Sequence, residues 1–356
     1  MRTAIPAGFL THWYGEKMEY YDKIASGRKM VVGVGSALID ILAHENDAFV
    51  DQAGAVKGGM TYVDDEAIDR ILERATRAPA VVPGGSACNT MVGIGELGGQ
   101  ARFVGKCGNG RMGRLFRSDL EKHGVEPRLF ASDSPTGRVL SIITPDAQRS
   151  MLTYLGASAE TSPAEIAAMS FDGAAIVHVE GYLLFNRELI QAVLEAAKKA
   201  GARVSLDLAS FNVVEEARDI LPDLVAQYVD ILIANEDESL AYTGVRDEAS
   251  ALEALCRHVD LAVLKLGVRG SRIACQNQRL AVDSYGDGWA ADTTGAGDLW
   301  ASGFLFGLVN QMPLARCGEL GSLCGHAVCQ VVGANIPADQ WLTIRNGMEA
   351  KWQKIG

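Results

Sequence analysis

The residue types best suited to chemistry stand together in residues 292–298, which read DTTGAGD. They lie between turn-rich residues 284–288 and an apolar run, 299–309, that has helical length and few breakers. This position predicts the entrance of a helix. Gly295 and Gly297 let the backbone turn sharply and approach a ligand, and the first amides of the helix are unpaired at the positive end of its dipole. Such an entrance is typical of a phosphate-binding site.

Asp298 indicates what kind of phosphate site this is. A carboxylate repels a phosphate, but it is useful there if it accepts the proton of a hydroxyl that attacks the phosphorus. We therefore interpret Asp298 as a general base and the turn of Gly295, Ala296 and Gly297 as the place where amides stabilise developing negative charge. The chemistry indicated is phosphoryl transfer. The alternative is a carboxylate that only interacts favourably with the dipole of its own helix.

A second polar cluster opens another predicted helix. Residues 83–89 read PGGSACN. Gly84 and Gly85 allow backbone amides to approach a ligand, and Asn89, one turn into the helix, can both donate and accept hydrogen bonds. This combination suits a ligand with vicinal hydroxyls. The alternative for Asn89 is an asparagine that packs between helices.

The elements that must position these residues follow an α/β pattern. Residues 30–34 read as a short buried strand, 135–144 and 149–155 as a hairpin, and strands and helices alternate from residue 172 onward. The alternating strands are 174–179, 203–206, 231–234 and 261–265, and the helices are 187–200, 213–221, 249–258 and 314–331. Alternation predicts a parallel sheet covered on both faces, with ligands at the carboxyl ends of the strands. Those ends carry residues 180–182, Asp207, 235–238 and 267–270.

Composition restricts the class of protein. The 356 residues are 48% hydrophobic and 22% charged and include 39 glycines, which suits a single α/β enzyme without a linker. The net charge is −11 and the basic residues are scattered, so nucleic acid and anionic membranes are not expected as partners. Seven cysteines without a CxxC pair argue against disulfides and zinc. With no apolar run near ~20 residues and no signal-peptide pattern, we expect a cytoplasmic protein.

Two common nucleotide-binding motifs do not fit this chain. Residues 93–98 and 108–113 match GxGxxG only as text, because neither follows a strand with an acidic residue at the right distance. A dinucleotide fingerprint beginning at Gly33 needs a third glycine where Leu38 stands. A P-loop ending at Lys106 needs a glycine at Gln100 and Ser or Thr at Cys107. A nucleotide would therefore be bound by a different architecture, and a dinucleotide-dependent oxidoreductase is disfavoured.

The motif at 292–298 resembles the C-terminal signature of the ribokinase-like (PfkB) carbohydrate and nucleoside kinases, and 84–89 resembles their GGxxxN motif. Residues 235–238 match their NxxE motif. The resemblance covers roughly residues 30–340. It implies a three-layer α/β/α fold with a mostly parallel central sheet and a small β-sheet lid, built from about 36–63 and 130–157, that excludes water. We expect the kinase domain at 30–345 and an N-terminal extension at 1–29.

The resemblance also implies roles for individual residues. ATP and Mg²⁺ are expected, with a monovalent cation such as K⁺ as a further expectation. The residues expected at the acceptor are Ser36, Asp40, Gly84, Gly85, Asn89, Tyr182 and Asp298. Those expected at the nucleotide are Asn235, Lys265, Gly267, Gly270, Thr294, Gly295, Gly297 and His326, with Glu238 binding the metal through water. The alternatives are a turn aspartate at Asp40, a helix-start carboxylate at Glu238, a surface lysine at Lys265 and a packing histidine at His326.

The acceptor is the open question. Three features look like the adenosine kinase branch: residues 84–89, the PTG at 135–137 with Arg149 in the hairpin, and Tyr182, which could stack on a base. The alternative for Tyr182 is a core residue or one that stacks on a sugar. That branch commonly has Asn where Ser36 stands, so a kinase of fructose-like sugars or keto-sugar acids is the alternative. A non-catalytic binding relative is disfavoured, because it would not need Asp298. Besides a small-molecule acceptor and ATP we expect no partner, and a monomer and a homodimer are both open.

Overall fold

The computed structural model of the protein describes residues 27–146, 148–169 and 171–352. Nearly all of the extension expected at 1–29 lies outside these residues. The strands are β1 (Met30–Val34), β2 (Leu38–His44), β3 (Met60–Tyr62), β4 (Ala80–Gly84), β5 (Ala101–Gly108), β6 (Val125–Ser132), β7 (Thr136–Ile143), β8 (Arg149–Gly156), β9 (Ala174–Glu180), β10 (Arg203–Asp207), β11 (Ile231–Asn235), β12 (Leu261–Lys265), β13 (Ser271–Cys275) and β14 (Gln278–Val282). The α-helices are α1 (Asp47–Gln52), α2 (Asp65–Leu72), α3 (Ser86–Glu96), α4 (Arg111–Lys122), α5 (Pro163–Ala167), α6 (Arg187–Lys199), α7 (Phe211–Glu216), α8 (Leu221–Tyr228), α9 (Glu236–Thr243), α10 (Glu248–Leu255), α11 (Ala296–Val309), α12 (Leu314–Cys329) and α13 (Ala338–Trp352).

The larger sheet is mostly parallel. Within the described ranges it has nine strands in the order β14-β13-β12-β11-β10-β9-β1-β5-β6, and only β13 and β14 run antiparallel to their neighbours. Strands such as β9 are buried along their whole length, because helices cover both faces of a parallel sheet. One core packs the sheet against α3, α4, α11 and α12, and another packs it against α6, α7, α8 and α10. The expected three-layer α/β/α fold is confirmed.

A smaller sheet lies beside the larger one. Its five strands, counted over the part of the chain that the structure describes, have the order β3-β8-β7-β2-β4. The predicted hairpin forms β7 and β8, which pair antiparallel. The lid expected from 36–63 and 130–157 differs from the observed smaller sheet at two points. Strand β4 also belongs to this sheet, paired with β2, and residues 130–132 belong to β6, which pairs with β5 in the larger sheet.

Two differences from the predicted elements have local causes. The helix expected over 213–221 is two helices, α7 and α8, and Pro222 stands in the first turn of α8, where its missing N–H is not needed. The pair β13 and β14 was not predicted. These strands extend the sheet beyond β12 as an antiparallel hairpin instead of continuing the alternation.

Close packing of α3 on α11 brings the two predicted clusters together. Gly93 of α3 faces Ser302 of α11, and a Cβ at Gly93 would lie 2.4 Å from the Ser302 hydroxyl oxygen. Only glycine therefore allows this approach. One turn earlier, the Thr90 hydroxyl donates to the backbone oxygen of Asp298 at 3.1 Å. None of the described helices is long and apolar enough to cross a membrane.

Candidate active site

The carboxyl ends of the central strands open into a cavity between the two sheets. The cavity encloses about 1010 Å³ and has residues of both sheets in its wall. The predicted site residues that line it are Ser36, Asp40, Gly85, Asn89, Tyr182, Asn235, Glu238, Lys265, Thr294, Gly295, Ala296, Gly297 and Asp298. Strand order β9-β1-β5 reverses the direction of chain progression at β1, and ligands of open α/β sheets bind at such a switch point.

Asp298 is held by two side chains of α3. The Ser86 hydroxyl donates to Oδ1 at 2.7 Å, and the Asn89 amide donates to Oδ2 at 2.9 Å. Burial raises the pKa of Asp298, although these two hydrogen bonds oppose the rise. The carboxylate is thus oriented toward α3 at a fixed position in the cavity wall. Asn89 was predicted from its motif, whereas the contact of Ser86 was not.

The turn before α11 has the geometry expected of a helix entrance. Gly295 has φ of 73°, in the left-handed region, and no side-chain hydrogen bond caps the helix at this residue. A Cβ at Gly295 would lie 2.7 Å from the Cβ of Ala334, so both conformation and space require glycine. Asp292 stabilises the turn before α11. Its carboxylate accepts hydrogen bonds from the Thr294 amide at 2.9 Å and from the Gly333 amide at 2.9 Å.

Asp40 is buried where β2 meets β4. A Cβ at Gly84 would lie 2.4 Å from its Oδ2, which explains the glycine at a position that does not itself line the cavity. Burial raises the pKa of Asp40 to about 6, although the nearby Arg149 opposes this. Arg149 extends from β8 and donates to the Thr294 hydroxyl, so the smaller sheet contacts the helix entrance across the cavity. Arg149 was expected in the hairpin, but its contact with Thr294 was not predicted.

Glu180 connects two segments that line the cavity. It is 1% exposed and accepts hydrogen bonds from the Ser36 amide at 2.8 Å and the Ala87 amide at 3.1 Å. Burial raises its pKa to about 7. These contacts join the turn after β1 to the first turn of α3. Gly85 lies at the same junction. Its φ is 102°, and a Cβ at this position would lie 2.4 Å from the Ser36 carbonyl oxygen, so only glycine fits.

The cavity wall includes apolar and aromatic residues on two segments, beside the polar residues 186–188. Tyr182, Leu183 and Phe185 line it on the segment after β9, and Met60 and Tyr62 line it on β3 of the smaller sheet. Burial raises the pKa of Tyr182 well above its usual range, so the phenol stays neutral. This wall suits a flat or apolar group of a ligand.

A second cavity of about 480 Å³ lies on the other side of the helix entrance. The predicted residues Gly267, Gly270 and His326 line it together with Tyr285 and Trp289. The His326 and Tyr285 rings lie 5.4 Å apart at 52°, and Trp289 is 60% exposed at the rim. Sequence reasoning missed both aromatic residues, because they belong to no motif. Aromatic residues inside a turn-rich segment were the available signal.

The two cavities share part of their lining. The shared residues are Asn235, Lys265, Thr293, Ala296 and Gly297. Lys265 Nζ donates to Asp207 Oδ2 at 2.8 Å, and its side chain is only 14% exposed, which excludes a surface lysine. Glu238 accepts hydrogen bonds from the Asn235 amide at 2.8 Å and from its Nδ2 at 2.7 Å, forming a capping box of α9. Burial raises the pKa of Glu238.

The arrangement can support a transfer between two ligands. A ligand in the larger cavity meets a carboxylate, Asp298, and a ligand in the smaller one ends at the same helix entrance. Backbone amides at the start of α11 and the cation of Lys265 suit an anionic group between them.

Comparison with known sequences finds one family and several relatives. A family model described as pfkB family carbohydrate kinase matches residues 64–341. Fructokinase-1 of Oryza sativa subsp. japonica is 30% identical over 279 residues, which are 72% of this chain and 86% of that protein. The 5-dehydro-2-deoxygluconokinase of Bacillus subtilis (strain 168) is 29% identical over 259 residues, 69% of this chain and 80% of that protein.

Solved structures resemble the whole fold. The adenosine kinase from Sinorhizobium meliloti superimposes with a TM-score of 0.80 and 30% identity, over 91% of this chain and 100% of that one. A probable sugar kinase protein from Rhizobium etli CFN 42 superimposes with a TM-score of 0.81 and 30% identity, over 91% of this chain and 98% of that one.

Proposed function

Because this chain belongs to the pfkB family of carbohydrate kinases, we propose that it transfers the γ-phosphate of ATP to a hydroxyl of an adenosine-like nucleoside. Membership makes the chain an ATP-dependent phosphotransferase with an alcohol group as acceptor. The acceptor is the proposed part. The observation that carries it is the apolar, aromatic wall at Tyr182, on the same cavity as Asp298.

The roles proposed for the polar residues follow from their places in the cavity. Asp40, Gly85 and Asn89 line the same cavity as Asp298 and suit the hydroxyls of the acceptor. Asp298 accepts the proton of the attacking hydroxyl, and the amides of Gly295 to Gly297 stabilise the charge that develops on the phosphoryl oxygens.

The smaller cavity is proposed to hold ATP. Gly267 and Gly270 line it, and the adenine base can stack on the rings of Tyr285, Trp289 or His326, which line it as well. Glu238 and Asn235 carry side-chain oxygen atoms, the ligand type that Mg²⁺ prefers. Because Mg²⁺ usually keeps several waters, Glu238 would hold it through a water molecule. When bound, Mg²⁺ neutralises phosphate charge and orients the phosphates.

A nucleoside suits this cavity better than a free sugar for a physical reason. A free sugar offers only a narrow C–H face between its hydroxyls, so it would cover less of the wall at Tyr182, Leu183 and Phe185 than a flat base would. A nucleobase can stack there while its ribose lies near Asp40 and Asp298. The similarity to the Sinorhizobium meliloti adenosine kinase supports this assignment.

The second candidate is a sugar kinase acting on fructose-like sugars or keto-sugar acids. Fructokinase-1 of Oryza sativa and the 5-dehydro-2-deoxygluconokinase of Bacillus subtilis favour it. Arg149 also favours it, because it lines the cavity and is a suitable partner for a sugar carboxylate.

ADP release separates the two candidates. Mg-ATP is offered with a panel of nucleosides and with a matched panel of free sugars and sugar acids, and Asp298→Asn serves as the blank. We expect turnover with nucleosides. Turnover with sugars only would establish the second candidate, and silence on both panels would contradict both. Omitting Mg²⁺, and exchanging K⁺ for Na⁺, tests the two cations in the same assay.

Tyr182→Ala is expected to raise the KM for the nucleoside about 10-fold or more, because stacking of an aromatic ring on a base contributes about 1–3 kcal/mol. Tyr182→Phe keeps the ring and is expected to stay within about 2-fold of the parent. Tyr228→Ala is the control. Tyr228 is a partly buried tyrosine of α8 that does not line the cavity, so the KM is expected to stay near that of the parent. An unchanged KM in Tyr182→Ala would show that the base does not bind at this wall.

A further inference from the structure

Lys265 occupies the junction of the two cavities. We propose that Lys265 is a catalytic residue, whose ammonium group binds the phosphoryl group while it passes from ATP to the acceptor. The inference rests on the proposed function and adds to it a residue that carries positive charge into the transfer step.

Position is the first argument. A group that moves from the smaller to the larger cavity passes the five shared residues, and Lys265 is the charged residue among them. Its Nζ lies 3.0 Å from the point where a Cβ of Gly297 would stand, beside the backbone of the helix entrance. The ammonium and the first amides of α11 therefore face the same space. A cation next to amide donors is the arrangement that stabilises a transferring phosphoryl group.

The partners of Lys265 are the second argument. Its present partner, Asp207, also accepts a hydrogen bond from the Ala209 amide at 3.0 Å, so the carboxylate keeps a hydrogen bond if the lysine turns away. An ammonium has three donors, and one is used by Asp207. Negative charges of Asp207, Glu238 and Asp298 keep Lys265 protonated, although its burial opposes this. The cation is thus available to a phosphoryl oxygen without first gaining a proton.

The step balances without a further reactant. The acceptor oxygen forms a bond to the γ-phosphorus, and the bond from that phosphorus to the β–γ bridging oxygen breaks, with its electron pair leaving on ADP. The hydroxyl proton moves to Asp298. Lys265 stays protonated throughout and contributes by electrostatic attraction only.

The competing interpretation is a structural ion pair. Lys198 and Asp230 form such a pair at 2.6 Å, with a buried aspartate, and neither residue lines the two cavities described above. Lys198→Met is therefore a control for the loss of a lysine beside a buried carboxylate, one that keeps a second cation because Arg203 also pairs with Asp230. If Lys265 only neutralised Asp207, then removing both charges would restore activity.

The pH profile of kcat separates two effects of Lys265, because its charge acting on Asp298 moves the acid limb, whereas its contact with the phosphoryl group changes the plateau above that limb. Asp298 must be deprotonated to act, so kcat is lost as the pH falls through its pKa. Lys265 lowers that pKa and Asp207 raises it. The titratable groups of the surrounding elements whose charge interacts with that of Asp298 are Asp40, Cys88, Glu180, Tyr182, Asp207 and Lys265.

The experiment measures kcat, KM and the acid limb of kcat for five proteins. They are the parent, Lys265→Met, Asp207→Asn, the double variant Lys265→Met with Asp207→Asn, and Lys198→Met. We expect Lys265→Met to lower kcat about 100-fold or more, as for loss of one preorganised donor to a developing charge, and to move the acid limb to higher pH. Asp207→Asn is expected to move the acid limb to lower pH. Lys198→Met is expected to stay within about 2-fold of the parent.

The double variant keeps the inference testable if Lys265→Met alone folds poorly, because it leaves no unpaired carboxylate at residue 207. We expect it to melt cooperatively and to retain the loss in kcat. Recovery of kcat in the double variant, or a change in the KM for ATP without a change in kcat, would overturn the inference. A parent without turnover on any acceptor would instead contradict the proposed function, so the two failures are distinguishable.

Discussion

Asp298→Asn is expected to lower kcat by about 10²- to 10⁴-fold, the usual contribution of a positioned general base. The substitution conserves shape but removes the group that accepts the hydroxyl proton. Ser86 and Asn89 both donate to the carboxylate of Asp298. In the variant, the amide oxygen can still accept from Asn89 and the amide NH2 group can donate to the Ser86 hydroxyl, so the side chain is expected to occupy the same place. Turnover is measured by ADP release at saturating acceptor and ATP.

Binding and folding of Asp298→Asn serve as its internal controls. Because burial raises the pKa of Asp298, replacing the carboxylate removes a desolvated charge, and we expect no loss in the melting temperature. ATP affinity is expected to stay near that of the parent. Asp260→Asn, directly before β12 at the opposite end of the strands, is the matched control and is expected to be active. Near-normal kcat in Asp298→Asn would contradict its role as the base.

Gly295→Ala is expected to lower kcat about 100-fold or more and also to destabilise the fold. At φ of 73°, an alanine costs roughly 1–2 kcal/mol in backbone strain. Its Cβ would stand 2.7 Å from the Cβ of Ala334, so the turn must shift. A shifted turn moves the first amides of α11 away from the transferred group, and loss of one such donor costs about 10²- to 10³-fold in kcat.

A matched glycine separates strain from displacement. Gly173 has φ of 82°, and a Cβ there meets nothing within 4 Å. Gly173→Ala is therefore expected to carry the strain alone, with a lower melting temperature and parental kcat. The comparison uses thermal melting and ADP release on both variants. Equal kcat in the two variants would show that the geometry of the turn at Gly295 does not matter for transfer.

Much of the fold could be predicted, because it depends on local pattern. Strands β9 to β12 are rich in aliphatic residues and alternate with helices, which predicted a parallel sheet covered on both faces. The helix at 299–309 was predicted, and α11 is Ala296–Val309. Strand β4 was not assigned to the smaller sheet, because its pairing with β2 depends on residues some forty positions apart in the chain.

Residues of the candidate site were predictable where a motif states the chemistry locally. Glycines at 295 and 297, followed by Asp298, describe a helix entrance and a carboxylate by themselves. By contrast, Tyr285 and Trp289 belong to no motif. Their place in a turn-rich segment marks them as unusual but does not indicate what they will face. Lys265 was assigned to the nucleotide, and its contact with Asp207, 58 residues away, was beyond sequence reasoning.

The sequence by itself determined the class of chemistry, the family and the fold, because these depend on backbone conformation, hydrophobic periodicity and short motifs. Only the tertiary structure decided which side chains meet. Asp298 contacts Asn89 from 209 residues away, and Arg149 reaches Thr294 from 145 residues away. Such contacts depend on strand order and on how closely α3 approaches α11. Those features are set by packing across the whole core, and no local stretch of sequence encodes them.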